Sequence, residues 1–364
     1  MNTKILAIYL PQYYQTEYND RWWGEGYTEW TACKKATSLF KGHVQPRVPY
    51  SEYDLSDYKA IDEQAKMARQ YGIDGFAIYQ YYSTGDKLLN VPTELLLEHK
   101  EIDIEFCLYW ANESWESRWY GQEKKVIWEQ KYGKEKEWKE HFDYCLPFFK
   151  DKRYIKIDNK PVYIIYKDWL FKDVNAYIDY WNKLAIESGF DGIYFIKTVG
   201  ALNTNDLGKF NATFEREPFY TFNKRIGFFG RIRRYARTRI VEFLNKKILN
   251  KKGKGIIQYS MDYKKCSKLI ANGKMPNGSA TILGAFTDWD NSPRRQYNST
   301  LFKNVTVESF EECMKAQMKK ANGSNSPFVI INAWNEWGEG NYLEPDNLYG
   351  TGFLEAVKNS KESI

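Results

Sequence analysis

The feature that most constrains the fold of this chain is a stretch near its end, residues 328–340, which reads FVIINAWNEWGEG. Residues 328–333 are apolar and rich in β-branched side chains apart from Asn332, which is typical of a strand buried on both faces. The residues that follow combine indole rings, an amide and two carboxylates, with glycines where the backbone can turn: Trp334, Asn335, Glu336, Trp337 and Glu339. The pattern predicts a buried strand that delivers paired carboxylates and aromatic rings at its carboxyl end.

Helical patterns alternate with strands along the rest of the chain. We predict eight strands within residues 4–14, 73–82, 104–113, 161–167, 192–199, 212–219, 281–290 and 328–335. We predict helices over residues 57–71, 90–100, 133–150, 173–188 and 305–321, with apolar residues at helical spacing in 57–71 and 133–150 and Pro92 near the start of 90–100. This order predicts an α/β fold with a parallel sheet, and closure into a (β/α)8 TIM barrel is the simplest arrangement. A doubly wound open sheet is the alternative, but no G-x-G-x-x-G motif follows the first strand.

Length and composition limit the class of protein. A single (β/α)8 catalytic domain with insertions fills residues 1–364, so we expect one domain. No apolar run approaches the roughly 18 residues of a membrane span, and residues 1–10 make a poor signal peptide, which predicts a cytoplasmic protein. Five widely spaced cysteines without a C-x-x-C pair and three scattered histidines predict neither a disulfide framework nor a metal site. We expect no cofactor.

Aromatic residues are abundant, at 17% of the chain. Flat rings at strand ends suit sugars, whose C–H faces pack on them while polar neighbours bind the hydroxyls; the alternative is a core rich in tryptophan. The loop of residues 21–30, RWWGEGYTEW, is too polar for a core and too aromatic for an ordinary solvated loop. We predict substrate contacts from this loop and from the strand ends, namely Tyr9, Tyr13, Trp22, Trp23, Glu29, Trp30, Tyr79, Tyr81, Trp110, Asn112, Glu113, Trp334, Asn335 and Trp337.

A basic insertion separates the sixth and seventh predicted strands, at about residues 222–277. Residues 231–254 contain ten Lys or Arg and one acid, Glu242, with apolar residues near helical spacing. Such a helix suits peripheral contact with an anionic surface such as the inner membrane; the alternative is that its apolar stripe packs onto the barrel. We expect no nucleic-acid binding, because the basic residues are local and the other aromatic residues cluster with acids.

Paired carboxylates among aromatic rings, without a cofactor loop, favour cleavage of a glycosidic bond. That reaction needs one carboxylic acid to protonate the leaving oxygen and one carboxylate to act as nucleophile or base. We assign these two roles to Glu336 and Glu339. The alternative for each glutamate is a helix cap or an ion pair with an arginine.

Five separated motifs carry a resemblance to a known family. They read AIYLPQYY, WWGEGYTEW, YWANESW, FTDWDNSPRR and INAWNEWGEG, and they occur in this order over nearly the whole chain. Together they resemble the WbsX family of bacterial surface polysaccharide proteins, which is related to glycoside hydrolase family 99. The resemblance implies a (β/α)8 barrel that hydrolyses α-linked, mannose-like oligosaccharides or polysaccharides with retention.

The resemblance also implies roles for the two glutamates. In family 99 the E-x-x-E pair at the end of the last strand is catalytic, and that pattern falls here on Glu336 and Glu339. Glu336 is then the base that takes the proton of the sugar's own 2-hydroxyl, which gives an epoxide-like intermediate. Glu339 is the acid, and later the base, at the leaving oxygen.

A glycosyltransferase of O-antigen or capsular polysaccharide assembly is the alternative function, because members of the WbsX group are often labelled so. Asp288-Trp289-Asp290 matches the Asp-x-Asp metal and nucleotide-sugar signature of many transferases, although so short a pattern recurs by chance. It ends the seventh predicted strand and Arg294 follows closely, so we predict that Asp288, Asp290 and Arg294 contact substrate and hold no metal. A barrel that binds glycans without cutting them is a third hypothesis.

Overall fold

A computed structural model describes residues 3–116, 125–200, 205–249, 255–275 and 280–364. Its centre is a barrel of eight parallel strands: β1 Lys4–Tyr9, β2 Gly75–Ser83, β3 Glu105–Trp110, β4 Lys160–Ile165, β5 Tyr194–Val199, β6 Ala212–Glu215, β7 Thr281–Phe286 and β8 Phe328–Asn332. Each strand pairs in parallel with its neighbours in the chain order, and β1 also pairs with β8, with Lys4 opposite Phe328. The barrel is therefore closed, and the predicted fold class is confirmed.

The strands are buried because both of their faces are covered. Every residue of β7 and β8 is buried, and β1 and β3 each have one partly exposed residue at the start. One face packs inside the barrel and the other packs against helices, as near-continuous apolar runs in a parallel sheet predict. The interpretation of residues 328–333 as a doubly buried strand is thus confirmed.

Eleven α-helices lie in the described residues. They are α1 Glu17–Trp23, α2 Glu29–Lys35, α3 Tyr58–Gln70, α4 Val91–Glu98, α5 Glu135–Phe149, α6 Val174–Glu187, α7 Gly227–Leu244, α8 Tyr263–Ala271, α9 Ser292–Arg295, α10 Val307–Gly323 and α11 Gly352–Glu362. The five predicted helices correspond to α3, α4, α5, α6 and α10. In α3 the predicted cap is present, since the Asp57 side chain accepts a hydrogen bond from the backbone N of Lys59. None of these helices has the length and apolar character that a membrane crossing demands.

The sequence predictions missed several elements. Strand β6 ends at Glu215, four residues before the predicted end, because Pro218 has no N–H to donate and the chain turns there. The short helices α1 and α2 occupy the two ends of the tryptophan-rich segment of residues 21–30, which we predicted to be a loop, and residues 24–28 between them are not helical. The connection from β5 to β6 carries no helix in its described residues, 205–211.

The insertion between β6 and β7 divides into two parts. The first consists of α7 between two π-helical turns, Thr221–Arg225 and Asn245–Leu249, and it leads to a strand, Tyr259–Asp262, that pairs in parallel with Thr300–Lys303. The second is α8, which packs against α10 in the outer ring of helices. The ends of the predicted insertion and of its basic segment, residues 276–277 and 250–254, lie outside the described residues. The excursion from the barrel therefore comes before α8.

Candidate active site

A small hairpin after β8 carries both predicted catalytic glutamates. Its strands, Asn335–Glu336 and Asn341–Tyr342, pair antiparallel, and the 3-10 turn Trp337–Glu339 joins them. Gly340 ends the turn with a φ of 60°, a left-handed conformation that glycine adopts without steric cost. Glu336 and Glu339 therefore belong to one compact unit at the carboxyl end of the barrel.

Asn335 fixes this hairpin to the end of β1. Its Oδ1 accepts a hydrogen bond from the backbone N of Leu10 at 2.8 Å, and its Nδ2 donates to the Leu10 carbonyl at 3.0 Å. The Tyr13 hydroxyl donates to the Asn335 carbonyl at 2.7 Å and accepts from the backbone N of Trp337 at 3.0 Å. Segments from the two ends of the sequence thus position the glutamates.

The Arg294 guanidinium joins three carboxylates. Its Nη2 lies 2.9 Å from Glu29 Oε2 and 3.2 Å from Glu336 Oε1, and its Nη1 lies 3.2 Å from Glu339 Oε1. Gln12 Nε2 donates to Glu29 Oε1 at 2.7 Å, and the Glu29 side chain is fully buried. One arginine therefore holds both predicted catalytic groups, and Glu29 holds the arginine.

The two glutamates differ in burial. The Glu336 side chain is 9% exposed, whereas the Glu339 side chain is 23% exposed. Burial raises the pKa of Glu336 to about 8; Arg294 acts in the opposite direction, and the charges of Glu339 and Glu29 raise the pKa further. Glu336 therefore changes its charge near neutral pH, which is what acid–base chemistry requires of a carboxyl group.

Gly338 allows this cluster to pack closely. A Cβ atom added at Gly338 would lie 2.6 Å from Glu29 Oε2 and 2.7 Å from Arg294 Nε. Both distances are shorter than a van der Waals contact, so a larger residue would displace the carboxylate or the guanidinium. The first glycine of the WGEG sequence is thus required by packing.

A cavity of about 900 Å³ opens beside the hairpin. The predicted site residues in its wall are Trp23, Tyr81, Glu113, Arg294, Glu336 and Glu339. Trp23 stacks on Tyr27 with ring centroids 5.4 Å apart, and Tyr81 meets Trp115 edge-on at 5.1 Å. Glu113 forms an ion pair with Lys167, which also lines the cavity. The wall combines flat rings with charges of both signs.

Four of the predicted contact residues lie behind the cavity wall and support the hairpin. Trp30, Trp334 and Trp337 are buried, and the Trp337 ring stacks on Tyr342 with centroids 3.6 Å apart. Trp30 Nε1 donates to the Tyr53 carbonyl at 2.9 Å. Together with Tyr13, these rings form a packed base under the glutamates, in place of the substrate contact expected of them.

Tyr9 and Trp110 face the helices outside the barrel. The Tyr9 hydroxyl donates to Gln64 Oε1 on α3 at 2.6 Å. Trp110 Nε1 donates to the Tyr82 carbonyl at 3.0 Å, and its ring packs against His141 on α5 at 4.9 Å. Successive strand residues point to opposite faces of the barrel, so these two have packing roles in place of the expected substrate contact.

The remaining predicted residues of the strand ends and of α1 also lie outside the cavity wall. The Asn112 side chain accepts from the backbone N of Lys167 at 2.8 Å and donates to its carbonyl at 3.0 Å, as Asn335 does with Leu10. Tyr79 lies deeper in the barrel than Tyr81, and its hydroxyl accepts from Arg216 at 3.1 Å. Trp22 is 40% exposed.

Asp288 and Asp290 hold the loop of residues 43–47. Arg47 Nη2 lies 2.9 Å from Asp288 Oδ2, and His43 Nε2 and Gln45 Nε2 lie 2.8 Å and 2.7 Å from Asp290 Oδ2. Burial raises the pKa of Asp288 to about 6, against the Arg47 charge. Burial also acts to raise the pKa of Asp290, but hydrogen bonds from His43 and Gln45 outweigh it and lower that pKa. These carboxylates serve the protein's own structure in place of the expected substrate contact.

The described residues contain no group of three or more His, Cys, Asp or Glu side chains placed to hold a metal ion. Asp288 and Asp290 accordingly do not form part of such a group.

Several cavity residues were not predicted from the sequence. The connections supply Trp115, Lys167, Trp289 and Arg295, and the insertion supplies Phe222, Arg234, Thr238 and Tyr259. Trp289 could have been predicted from the sequence, because it is an aromatic residue at a predicted strand end. No sequence feature indicated the residues of the insertion, because helical spacing does not say which face of a helix meets the barrel.

Arg216 was also missed, although it lies beside the candidate site. It follows β6 directly, is buried, and donates to the hydroxyls of Tyr79 and Tyr166 at 3.1 Å and 3.3 Å. Its charge is among the influences that lower the pKa of Glu336. An arginine inside a predicted buried strand was the available signal, since such a charge needs partners.

A family and several relatives match the whole chain. The family model described as glycosyltransferase WbsX matches residues 5–357. Two curated relatives, both described as uncharacterized protein WxcX and both from Xanthomonas campestris pv. campestris, are 28% identical over an alignment of 364 positions. The alignment covers 98% of this chain and 49% of each relative. The chain therefore spans about half the length of the curated relatives it matches.

Solved structures share the architecture. The GH99 endo-alpha-mannosidase from Bacteroides thetaiotaomicron superposes with a TM-score of 0.55 at 12% identity, over 99% of this chain and 96% of that one. A chain described as a glycoside hydrolase-like protein gives a TM-score of 0.61 at 12% identity, over 99% and 94%. At these identities the likeness concerns the fold. The family-model match over residues 5–357 shows that this chain belongs to the WbsX family.

Proposed function

We propose that the chain is a retaining glycoside hydrolase that acts on α-linked, mannose-like glycans. The observation that carries the proposal is the pair Glu336 and Glu339, which meet at Arg294 in the wall of a cavity of about 900 Å³. Rings in the same wall, among them Trp23 and Tyr81, offer flat surfaces for sugars. A cavity of this size fits a ligand of a few sugar units, on the scale of ~300–1,000 Å³ for ligand sites.

The proposed mechanism uses the substrate's own hydroxyl as nucleophile. Glu336 takes the proton of the 2-hydroxyl as that oxygen attacks the anomeric carbon, and Glu339 gives a proton to the leaving oxygen as the glycosidic bond breaks. In the second step Glu339 takes a proton from water and the water oxygen attacks the anomeric carbon. The bond between that carbon and the 2-oxygen breaks, and Glu336 returns its proton to the 2-oxygen. Two displacements at one carbon retain its configuration.

Burial of Glu336 suits a group that takes up and returns a proton near neutral pH. A raised pKa makes the ionised carboxylate a stronger base than an ordinary glutamate, and a value of about 8 lies close to a working pH near neutrality. Arg294 and Glu29 act as positioning residues, because they hold the two glutamates at fixed distances. Glu339 is the more exposed of the pair, which suits a group that exchanges protons with water.

The test is a comparison of Glu336→Gln and Glu339→Gln with the wild type on α-linked manno-oligosaccharides. We expect turnover to fall by about 10²–10⁴-fold in each variant, as loss of acid–base catalysis predicts, with oligosaccharide binding kept. NMR of the products should show the α-anomer first. Glu312→Gln, on the exposed face of α10, is the matched control. Wild-type turnover in either active-site variant would refute the proposal.

A transferase of polysaccharide assembly remains the second candidate, because the matching family model is described as a glycosyltransferase. Its Asp-x-Asp hypothesis needs Asp288 and Asp290 at a nucleotide sugar, whereas both accept hydrogen bonds from the 43–47 loop. Titration with a sugar nucleotide and Mn²⁺ distinguishes the two functions. Cation-dependent binding that Asp288→Asn abolishes would favour the transferase.

A further inference from the structure

The outward face of α7 is mostly apolar; Arg239 also lies on it, seven residues after Ile232, with its guanidinium 5.3 Å from the centroid of the Tyr235 ring. Phe228, Ile232 and Tyr235 follow one another at intervals of four and three residues, so they lie on one side of the helix. Phe229, Ile240 and Phe243 widen this stripe, and Phe229 is 84% exposed. We call these six residues the apolar face of α7. A surface helix of a globular protein ordinarily turns such a stripe inward.

The inward face of α7 is largely polar. Arg234, Thr238, Val241 and Asn245 follow at intervals of four, three and four residues along α7 and the turn after it. Arg234 donates to Asn223 Oδ1 at 2.8 Å, and the buried Asn245 exchanges two hydrogen bonds of 2.9 Å with the backbone of Ile256. These hydrogen bonds therefore fix the rotation of the helix about its axis. The polar side of α7 faces the barrel and the apolar side faces outward.

Positive charge surrounds the apolar face. Helix α7 contains five arginines and one acidic residue, Glu242. Glu242 pairs with Arg239 at 3.7 Å, and Arg231 and Arg233 are exposed at the flanks of the stripe. The turn after α7 adds the exposed Lys246 and Lys247. If a second copy of this chain packed on this face, the positive charges of the two copies would repel one another. An anionic lipid surface neutralises these charges.

We propose that α7 docks this protein on the surface of an anionic lipid bilayer, with its apolar face in the boundary between headgroups and acyl chains. Arginines along the sides of the helix then meet lipid phosphates, and the rings and aliphatic side chains leave water. The opposite face of the same helix contributes Arg234 and Thr238 to the cavity wall. Docking therefore places this part of the cavity wall about one helix diameter, ~10 Å, from the membrane surface.

The test is flotation of the purified chain with vesicles of phosphatidylcholine, with and without phosphatidylglycerol. We expect the wild type to float with the anionic vesicles and to remain below the neutral ones. Phe229→Ser/Ile232→Ser should weaken binding by about tenfold or more, because two exposed apolar side chains lose their lipid contacts. The matched control, Ile186→Ser/Leu348→Ser, alters two exposed apolar residues elsewhere and should bind like the wild type.

A second pair of variants tests the charges. Arg231→Glu/Arg233→Glu should abolish binding to anionic vesicles, while Lys319→Glu/Lys358→Glu, with the same change of net charge on α10 and α11, should retain it. Absence of wild-type binding, or equal binding by the Phe229→Ser/Ile232→Ser variant, would overturn the proposal. So would a wild-type dimer that the same variant dissociates, since the face would then belong to a second copy. None of these measurements depends on glycan hydrolysis.

Discussion

One guanidinium among three buried or half-buried carboxylates defines the candidate site at the scale of single residues. Arg294 contacts Glu29, Glu336 and Glu339, and Arg216 adds a second positive charge nearby. Carboxylates that share one site repel one another and are poorly solvated there, so one of them keeps its proton more readily. Glu336 is the carboxyl group that keeps its proton more readily, because burial raises its pKa.

The first prediction concerns the pH dependence of kcat/KM in the free enzyme. As the proposed base, Glu336 works only when ionised, so the ionisation of Glu336 should appear as an increase of kcat/KM with pH towards about 8. Because Arg294 lowers this pKa, Arg294→Gln should move the rise to higher pH. The measurement is a pH profile with a substrate that does not titrate. A profile that falls through the same region would assign Glu336 as the acid.

A second prediction concerns the packing of Gly338. In Gly338→Ala the new Cβ would displace Glu29 or Arg294, so kcat/KM should fall by about 10–100-fold, the scale of a misplacement near 1 Å. Gly323→Ala is the matched control, because a Cβ there meets nothing within 4 Å. Circular dichroism checks that both variants fold. Equal kcat/KM in the two variants would show that Gly338 does not set the geometry.

At the scale of elements, the cavity is built by connections more than by strands. The hairpin after β8 carries the glutamates, the short helix α9 carries Arg294, and α2 carries Glu29. Helix α7, which is no part of the barrel, closes another side through Arg234 and Thr238. The barrel sets the positions at which these connections leave the strands. Contacts among the connections then orient their side chains in the cavity.

The prediction at this scale uses two positions of α7. Thr238 is half-buried in the cavity wall, whereas Ala236 is exposed on the same helix. Thr238→Trp should fill part of the cavity and weaken oligosaccharide binding by about tenfold, roughly 1.4 kcal/mol, because the indole occupies volume that the glycan would take. Ala236→Trp should bind like the wild type. Calorimetric titration measures both, and unchanged affinity in Thr238→Trp would place the glycan away from α7.

At the scale of the whole molecule, closure of the barrel brings the two ends of the sequence together. Strands β1 and β8 pair directly, and the Asn335 side chain continues that pairing beyond β8 by bonding both backbone groups of Leu10. Asn112 does the same between the ends of β3 and β4. These two amides secure the edge of the barrel on which the candidate site stands.

The corresponding prediction is a loss of stability in Asn335→Leu. The substitution leaves the buried N–H and C=O of Leu10 without partners, at about 1–3 kcal/mol each, so the free energy of unfolding should fall by about 3 kcal/mol. Urea denaturation followed by tryptophan fluorescence measures it. Asn175→Leu, at an exposed position of α6, should change stability little. An unchanged free energy of unfolding in Asn335→Leu would mean that the two hydrogen bonds between Asn335 and the Leu10 backbone do not stabilise the fold.

The sequence by itself determined the architecture and the position of the carboxylate pair. Strands buried on both faces are marked by continuous apolar runs, as in β8, and helices such as α3 are marked by their caps. Glu336 and Glu339 stand where such a run ends, so their place at the carboxyl edge of the barrel follows from local pattern alone. These features could be predicted because they depend on residues that are close together in the sequence.

Only the tertiary structure decided which of the other predicted residues reach the cavity. Trp110 and Tyr81 both lie near strand ends, yet one faces the helices and the other the cavity, since a strand's facing depends on its register within the closed sheet. Arg294 meets Glu29 across 265 positions of sequence, and α7 turns its polar side inward through bonds to Asn223 and Ile256. Such contacts join residues far apart in the chain, so they exist only after the barrel has closed.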